Sequence, residues 1–396
     1  MSITYFRTAD TLITGTGSIA QIGEQAKKLN ATKVIIVTDK IIRQTGLLSK
    51  VTEPLAALGF KADIIDDVVP EPPFENLEQM VTQMEGKGYD LLVGVGGGSA
   101  LDITKVLSVM LTNKGNVRDM VGIEKIENPG VPTILVPTTS GTGSEVTYNA
   151  IFTDTRDMVK KGIVSPYLLP KVAIVDAELT LTLPPAVTAA TGMDALVHAV
   201  ESYTAIRADE LTDGIALQAI KLISRSLRKA VYNGKDLKAR EDMAMGSLLA
   251  GISLGNAGVG AVHALAYPLG GKFKVPHGVA NSLLLPFVMK YNAVADLEKF
   301  AEVAVAMGEN VEGLSLREAA DRAVQALAQL SEDVGIPASL KDVGVTPSDI
   351  PALAEEASKV DRLLNNNPRW LTVKEIQKIY EEAYGSVESL SLVTTI

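Results

Sequence analysis

The chain has 396 residues, 46% of them apolar and 21% charged, which is long enough for two domains that each close a core of their own. A formal net charge of −10 with no basic stripe argues against a nucleic-acid partner, and the absence of cysteine removes disulfides, thiolate-bound zinc and thiol catalysis. The opening MSITYFRTAD lacks the charged-then-apolar pattern of a secretion signal, so a cytoplasmic protein is expected.

Along the first half, strands are predicted at 33–38, 62–66, 89–95, 132–136 and 172–175. Amphipathic helical patterns lie at 18–29, 47–58, 75–87 and 100–111. Apolar strands alternating with helices imply a doubly wound, mostly parallel sheet covered on both faces, with ligands at the carboxyl ends of its strands. After Leu183-Pro184-Pro185 the periods are almost wholly helical: 186–204, 209–232, 237–251, 296–307, 316–334, 347–359 and 372–383. The expected organisation is therefore a Rossmann-like α/β domain over 1–184 and an all-α domain over 185–396, ending in a weakly ordered SVESLSLVTTI. Residues 243–271 carry no charge and could span a bilayer by length, but seven glycines, Asn256, His263, Ser247 and Ser253 interrupt them. A buried helix pair around a polar site is the better expectation, with no membrane partner.

Three stretches carry a nucleotide signal. The strand at 89–95 runs into Gly96-Gly97-Gly98-Ser99 and then a helix, a turn whose free N–H groups and dipole suit a pyrophosphate. Asp102, one turn in, can complement that dipole or reach a ligand hydroxyl. The run Pro137-Thr138-Thr139-Ser140-Gly141-Thr142-Gly143-Ser144-Glu145 follows the strand at 132–136 and can wrap phosphates or a nicotinamide amide. Asp39, at the carboxyl end of the strand at 33–38, is placed to accept both ribose hydroxyls and favours NAD over NADP. Each also has a plain reading, as a tight βα turn, a polar loop or a turn-forming aspartate. Gly15-Thr16-Gly17-Ser18-Ile19-Ala20 loosely fits the dinucleotide fingerprint, but the polar segment before it is short for a central strand, so a helix start is expected there.

A metal signal lies in the second half. Asp194 and His198 are four residues apart in a helical pattern, so both can face one ion. The other two of the chain's three histidines, His263 and His277, fall in one Gly-rich segment, HALAYPLGGKFKVPHG. One carboxylate and three imidazoles suit Fe(II) or Zn(II), although local capping and packed core histidines would also account for them.

Taken together, GGGSALDITK, PTTSGTGSEVT, TGMDALVHAVESY and HALAYPLGGKFKVPHG closely resemble the iron-containing (group III) alcohol dehydrogenases, and the resemblance reaches Asn367-Pro368-Arg369. It implies an active site in the cleft between a Rossmann-like and a helical domain, with Asp194, His198, His263 and His277 as metal ligands, acting in catalysis through the metal. Cofactor contacts are implied for Asp39, Gly97, Gly98, Ser99, Asp102, Thr138, Thr139, Thr142 and Lys160. Thr147 and Asn149 would face nicotinamide and substrate, Leu254 would line the pocket, and members are often homodimers or larger homo-oligomers. The intact ligand set separates this chain from metal-free relatives such as maleylacetate reductases.

Two positions depart from the family pattern. Many members carry a further histidine where this chain has Tyr267, a poor base that can still hold a water or shape the pocket. Asp176-Ala177-Glu178 replaces the commoner Asp-Pro dipeptide. The resemblance implies reversible hydride transfer between a small alcohol and NAD, with Fe(II), or Zn(II), polarising the substrate oxygen. The rivals are a lyase resembling dehydroquinate synthase, which would form no net NADH, and a non-catalytic metal- or nucleotide-binding protein.

Overall fold

The computed structural model describes residues 4–156 and 159–385, and the predicted weakly ordered tail at 386–396 lies outside the described residues. The chain divides into two compact units, Met1–Thr182 and Leu183–Ile396.

The first unit contains β1 (Thr11–Thr14), β2 (Val34–Asp39), β3 (Ala62–Val68), β4 (Leu91–Gly96), β5 (Gly122–Ile123), β6 (Thr133–Pro137), β7 (Asn149–Asp154), β8 (Val159–Val164) and β9 (Val172–Val175). Six of these form one sheet in the order β1-β9-β6-β4-β2-β3, and every neighbouring pair is parallel. Five helices accompany them: α1 (Ile22–Lys28), α2 (Lys40–Gln44), α3 (Ser49–Ala57), α4 (Phe74–Met84) and α5 (Gly98–Met110). Strand geometry sends successive side chains to opposite faces. In β2, Ile35 and Val37 join a core with Phe74 and Leu77 of α4 and Ile103 and Val106 of α5. Val34 and Ile36 join another with Ile22 of α1 and Val51 and Leu55 of α3. That double burial is why these strands read as unbroken apolar runs, and the expected doubly wound sheet is present.

The strand order reverses between β2 and β4, so the topological switch point falls at the strand ends that carry Asp39 and Gly96. Three features of this unit lie beyond the predicted elements, the first being the short helix α2, capped by Asp39. β1 is a four-residue, largely exposed edge strand, too short and polar to announce itself. β7 and β8 form an antiparallel hairpin that, with β5, makes a second sheet. The glycines of the false fingerprint form the turn after β1, where Gly17 at φ +78° precedes a short 3-10 helix.

The second unit is helical throughout its described residues: α6 (Pro185–Thr204), α7 (Glu210–Tyr232), α8 (Leu237–Ala257), α9 (Ala261–Phe273), α10 (His277–Asn292), α11 (Leu297–Met307), α12 (Leu316–Asp333), α13 (Ile350–Ala357), α14 (Asp361–Leu364) and α15 (Val373–Gly385). α6 is its axis, buried at every position from Gly192 to Thr204 and packed against α7, α8 and α10. The charge-free stretch becomes the rest of α8 and then α9, which turns away by 103° after Gly258 at φ +80°. Among the described residues no single helix is long and apolar enough to cross a membrane. α10 lies outside the predicted helices because Pro286 and Gly278 mask its period.

Candidate active site

α6 carries Asp194 and His198 one turn apart, His263 stands in the first turn of α9, and His277 opens α10. One ligand atom from each of the four lies within 4.8 Å of all the others. His198 Nε2 is 3.1 Å from His263 Nε2, and the Asp194 carboxylate is 3.9 Å from Nε2 of both His198 and His277. Asp194, His198 and His263 are buried and His277 is half-buried. A close helix contact makes the cluster possible. A Cβ on Gly278 would stand 2.5 Å from the Ala190 carbonyl oxygen, so only glycine lets the first turn of α10 meet α6.

Two further side chains complete the cluster, neither singled out by the sequence. Glu201, buried on α6, has Oε2 at 2.5 Å from His263 Nδ1. Its Oε1 accepts the N–H groups of Gly260 at 3.1 Å and Val262 at 2.7 Å, while Asn367 Oδ1 accepts that of Ala261 at 3.2 Å. The orphan donors at the start of α9 are thus taken up by buried side chains. Asn281, on α10, donates from Nδ2 to Asp194 Oδ1 at 2.8 Å and sits 3.1 Å from Nε2 of both His263 and His277. Its Oδ1 is buried without a partner among the described residues. Glu201 lies three residues after His198 and Asn281 four after His277, so helical spacing was the signal that could have found them.

Burial alone would raise the Asp194 carboxyl, but the imidazoles of His198, His277 and His263 and the Asn281 amide outweigh it and hold the pKa at about 2. Asp194 is therefore an ionised donor at neutral pH. Tyr267 stands one turn after His263 with its ring 6.5 Å from that of His277. Burial pushes its phenol up, so it stays protonated at neutral pH and can donate but not serve as a base. Leu254, half-buried on α8, packs on the core of the second unit.

In the first unit, Gly96 pairs with Pro137 across β4 and β6, so both predicted loops leave adjacent strand ends. The Thr138 N–H donates to the Gly96 carbonyl at 2.9 Å. A Cβ on Gly98 would be 2.6 Å from Thr142 Cγ2, and one on Gly97 would be 3.5 Å from Thr139 Cγ2. Gly96, Gly97, Gly98, Thr138, Thr139 and Thr142 are thus contiguous at the N-terminus of α5. The Thr138 hydroxyl is buried without a hydrogen-bond partner among the described residues. Asp39 caps α2 by accepting from the Ile42 N–H at 2.9 Å, and its Oδ2 lies 3.5 Å from where a Gly96 Cβ would stand. Ser99 Oγ accepts from the Glu71 N–H at 3.2 Å, and the Glu71 carboxylate pairs with Lys160 at 3.2 Å, so Glu71 joins two predicted cofactor residues.

Asp102 is engaged differently from a carboxylate offered to a ligand hydroxyl. Its Oδ1 accepts from Ser144 Oγ at 2.5 Å and pairs with Lys105 Nζ at 2.9 Å, while Oδ2 accepts from the Ile151 N–H at 2.9 Å. Lys105 is fully buried and also donates to the carbonyls of Ser144 at 3.1 Å, Thr147 at 3.4 Å and Asn149 at 2.6 Å. Together Asp102 and Lys105 pin the loop bearing Thr147 and Asn149 to α5. Asp176, at the Asp-Ala-Glu departure, accepts from the Ile19 and Glu178 N–H groups and builds a turn.

Residues 9–177 match the iron-containing alcohol dehydrogenase family, and residues 188–384 match the C-terminal part of the Fe-containing alcohol dehydrogenases. Over 374 residues the chain is 45% identical to long-chain-alcohol dehydrogenase 1 of Geobacillus thermodenitrificans, covering 94% of each protein. It is also 45% identical to the 1,3-propanediol dehydrogenase of Citrobacter freundii, covering 93% of this chain and 96% of that one. The solved structure of a 1,3-propanediol oxidoreductase is similar with a TM-score of 0.94 at 43% identity, covering 97% of this chain and all of that one. With both units matched and that identity sustained along nearly its whole length, the chain belongs to the iron-containing alcohol dehydrogenase family.

Proposed function

We propose that the chain is an NAD-dependent oxidoreductase that interconverts a small alcohol with its aldehyde or ketone by reversible hydride transfer. The observation that carries this reading is the cluster of Asp194, His198, His263 and His277 in a chain of this family. One ionised carboxylate and three imidazole nitrogens form a donor set that fits Fe(II), with Zn(II) fitting nearly as well. These four residues would hold the ion, which when bound supplies Lewis-acid polarisation of the substrate oxygen. Asn281 steadies Asp194 through its 2.8 Å hydrogen bond, and in this reading Tyr267 and Leu254 would line the substrate pocket. With Asp194 and the histidines as ligands and Tyr267 protonated, the substrate proton leaves through water rather than through a side-chain base.

The first unit supplies the dinucleotide site in this reading. Backbone N–H groups of Gly96, Gly97, Gly98 and Ser99 at the start of α5 take the pyrophosphate. Asp39 accepts the adenosine ribose hydroxyls and repels a 2′-phosphate, which sets the preference for NAD. The Thr138 hydroxyl, buried without a hydrogen-bond partner among the described residues, fits a cofactor contact together with Thr139, Thr142 and Lys160. Thr147 and Asn149, held by Lys105, face the nicotinamide. A lyase related to dehydroquinate synthase is not favoured, because the similar proteins are dehydrogenases by name along the full chain. The reading includes a homodimer or larger homo-oligomer, in keeping with the family, and a cytoplasmic setting, which the cysteine-free sequence fits.

The test is anaerobic. Protein loaded with Fe(II) or Zn(II) is followed at 340 nm with NAD and then NADP across a panel of small alcohols and aldehydes. Metal-dependent NADH formation is the expected result. Absence of turnover with every member, despite bound metal and NAD, would overturn the reading.

A further inference from the structure

We infer that Glu201 is the positioning residue of the metal cluster, fixing the tautomer of His263 so that its Nε2 is presented as a bare electron-pair donor. The inference rests on the metal-dependent reading above. Glu201 Oε1 is already occupied by the N–H groups of Gly260 and Val262, at 3.1 and 2.7 Å. Oε2 meets His263 Nδ1 at 2.5 Å. A carboxylate oxygen only accepts, so the ring hydrogen sits on Nδ1, and in a neutral imidazole Nε2 then carries a lone pair.

A second contact agrees. The Asn281 amide nitrogen, a donor only, stands 3.1 Å from His263 Nε2, an arrangement that suits an acceptor there. Glu201 rides on α6 with Asp194 and His198 while also capping α9, the helix that carries His263. One carboxylate therefore sets the position of a helix and the tautomer of a ring on it. With Asp194 it also places two carboxyl groups about a site for a divalent cation, and outer carboxylates of this kind raise the basicity of the ligating imidazole.

Substituting Glu201→Gln separates the two roles. The glutamine oxygen can still accept from Gly260 and Val262, so α9 stays capped. Its NH2 group, however, faces Nδ1 and can only donate, which moves the ring hydrogen to Nε2 and blocks that ligand. Calorimetric titration of Zn(II) into metal-free protein should show affinity falling by about 10- to 100-fold in E201Q, while the melting temperature of the metal-free protein stays unchanged.

Equal Zn(II) affinity in E201Q and the parent would overturn the role of Glu201 and leave the metal reading standing. No Zn(II) binding by the parent would instead remove the metal reading and this inference with it. If metal-free E201Q melts far below the parent, the decision passes to 15N shifts of the three histidines in the parent protein. The shifts that decide are those of the metal-free parent, where no ion fixes the ring: a protonated Nδ1 on His263 supports the assignment, and a protonated Nε2 overturns it.

Discussion

His277 is the most exposed of the four clustered donors and the only one at the first position of a helix, so its loss disturbs the core least. His277→Ala should still fold yet retain metal only at background level in elemental analysis. Activity should fall by more than the roughly 10- to 100-fold that loss of an outer-shell contact produces. A metal-free variant with full activity would contradict the ligand assignment. Asp39 offers a second residue-scale test, because its two oxygens do different things: one caps α2 and the other faces the Gly96 turn. Asp39→Asn keeps a capping oxygen and removes the charge. The ratio of kcat/KM for NAD over NADP should fall by about tenfold, roughly 1.4 kcal/mol, with little change in melting temperature. Asp194 and His198 were legible from the sequence because i, i+4 spacing puts both on one face. Glu201 and Lys105 were not, since Glu and Lys in a helical period ordinarily signal a solvated face.

At the scale of elements, the joint between α7 and α8 is held by Asp242. Its carboxylate accepts from Arg225 Nε and Nη2, both at 2.8 Å, and from Ser226 Oγ at 2.7 Å, with Lys238 Nζ at 3.1 Å. Burial would raise this group, but those partners outweigh it and bring the pKa from 3.8 down to about 2. Because the folded-state value is depressed, the stabilisation is complete above about pH 4 and disappears as pH falls towards 2. Asp242→Asn should cost about 1 kcal/mol at neutral pH, a figure discounted because Arg225 is half exposed. The gap between the two proteins in denaturant midpoint should close between pH 4 and 2. The long central strands and the amphipathic helices were readable because each buries a fixed periodic set of side chains. The β7–β8 hairpin was not, because alternate residues of β7 are only half-buried. α10 was hidden by its glycine and proline, and its helicity is imposed by packing on α6 and α9.

For the molecule as a whole, an ion held by α6, α9 and α10 would join three helices that are separate in sequence. Zn(II) at about a hundred times its dissociation constant should stabilise the folded protein by roughly 2.7 kcal/mol, raising the melting temperature of the 396-residue chain by about 3 °C. A chelator should reverse the shift, and an unchanged melting curve would argue against metal at this cluster. The α/β unit followed by a helical unit could be read from the change of hydrophobic period after Leu183-Pro184-Pro185, since period is a local property of the chain. The residue types suited to a metal and a dinucleotide were equally visible, as was their place at strand ends and on a helix face. Their company followed from the family resemblance and not from period or spacing. That His263 and His277 meet Asp194 and His198 depends on the bend after Gly258 and on the missing side chain of Gly278. That Asp102 turns inward to Lys105, and Glu201 inward to His263, depends on which polar groups folding strips of water. The sequence by itself determined the long central strands, most of the helices and the available chemistry. Only the tertiary structure decided which buried polar groups had to satisfy one another, because an unpaired one costs more than the bond it would make.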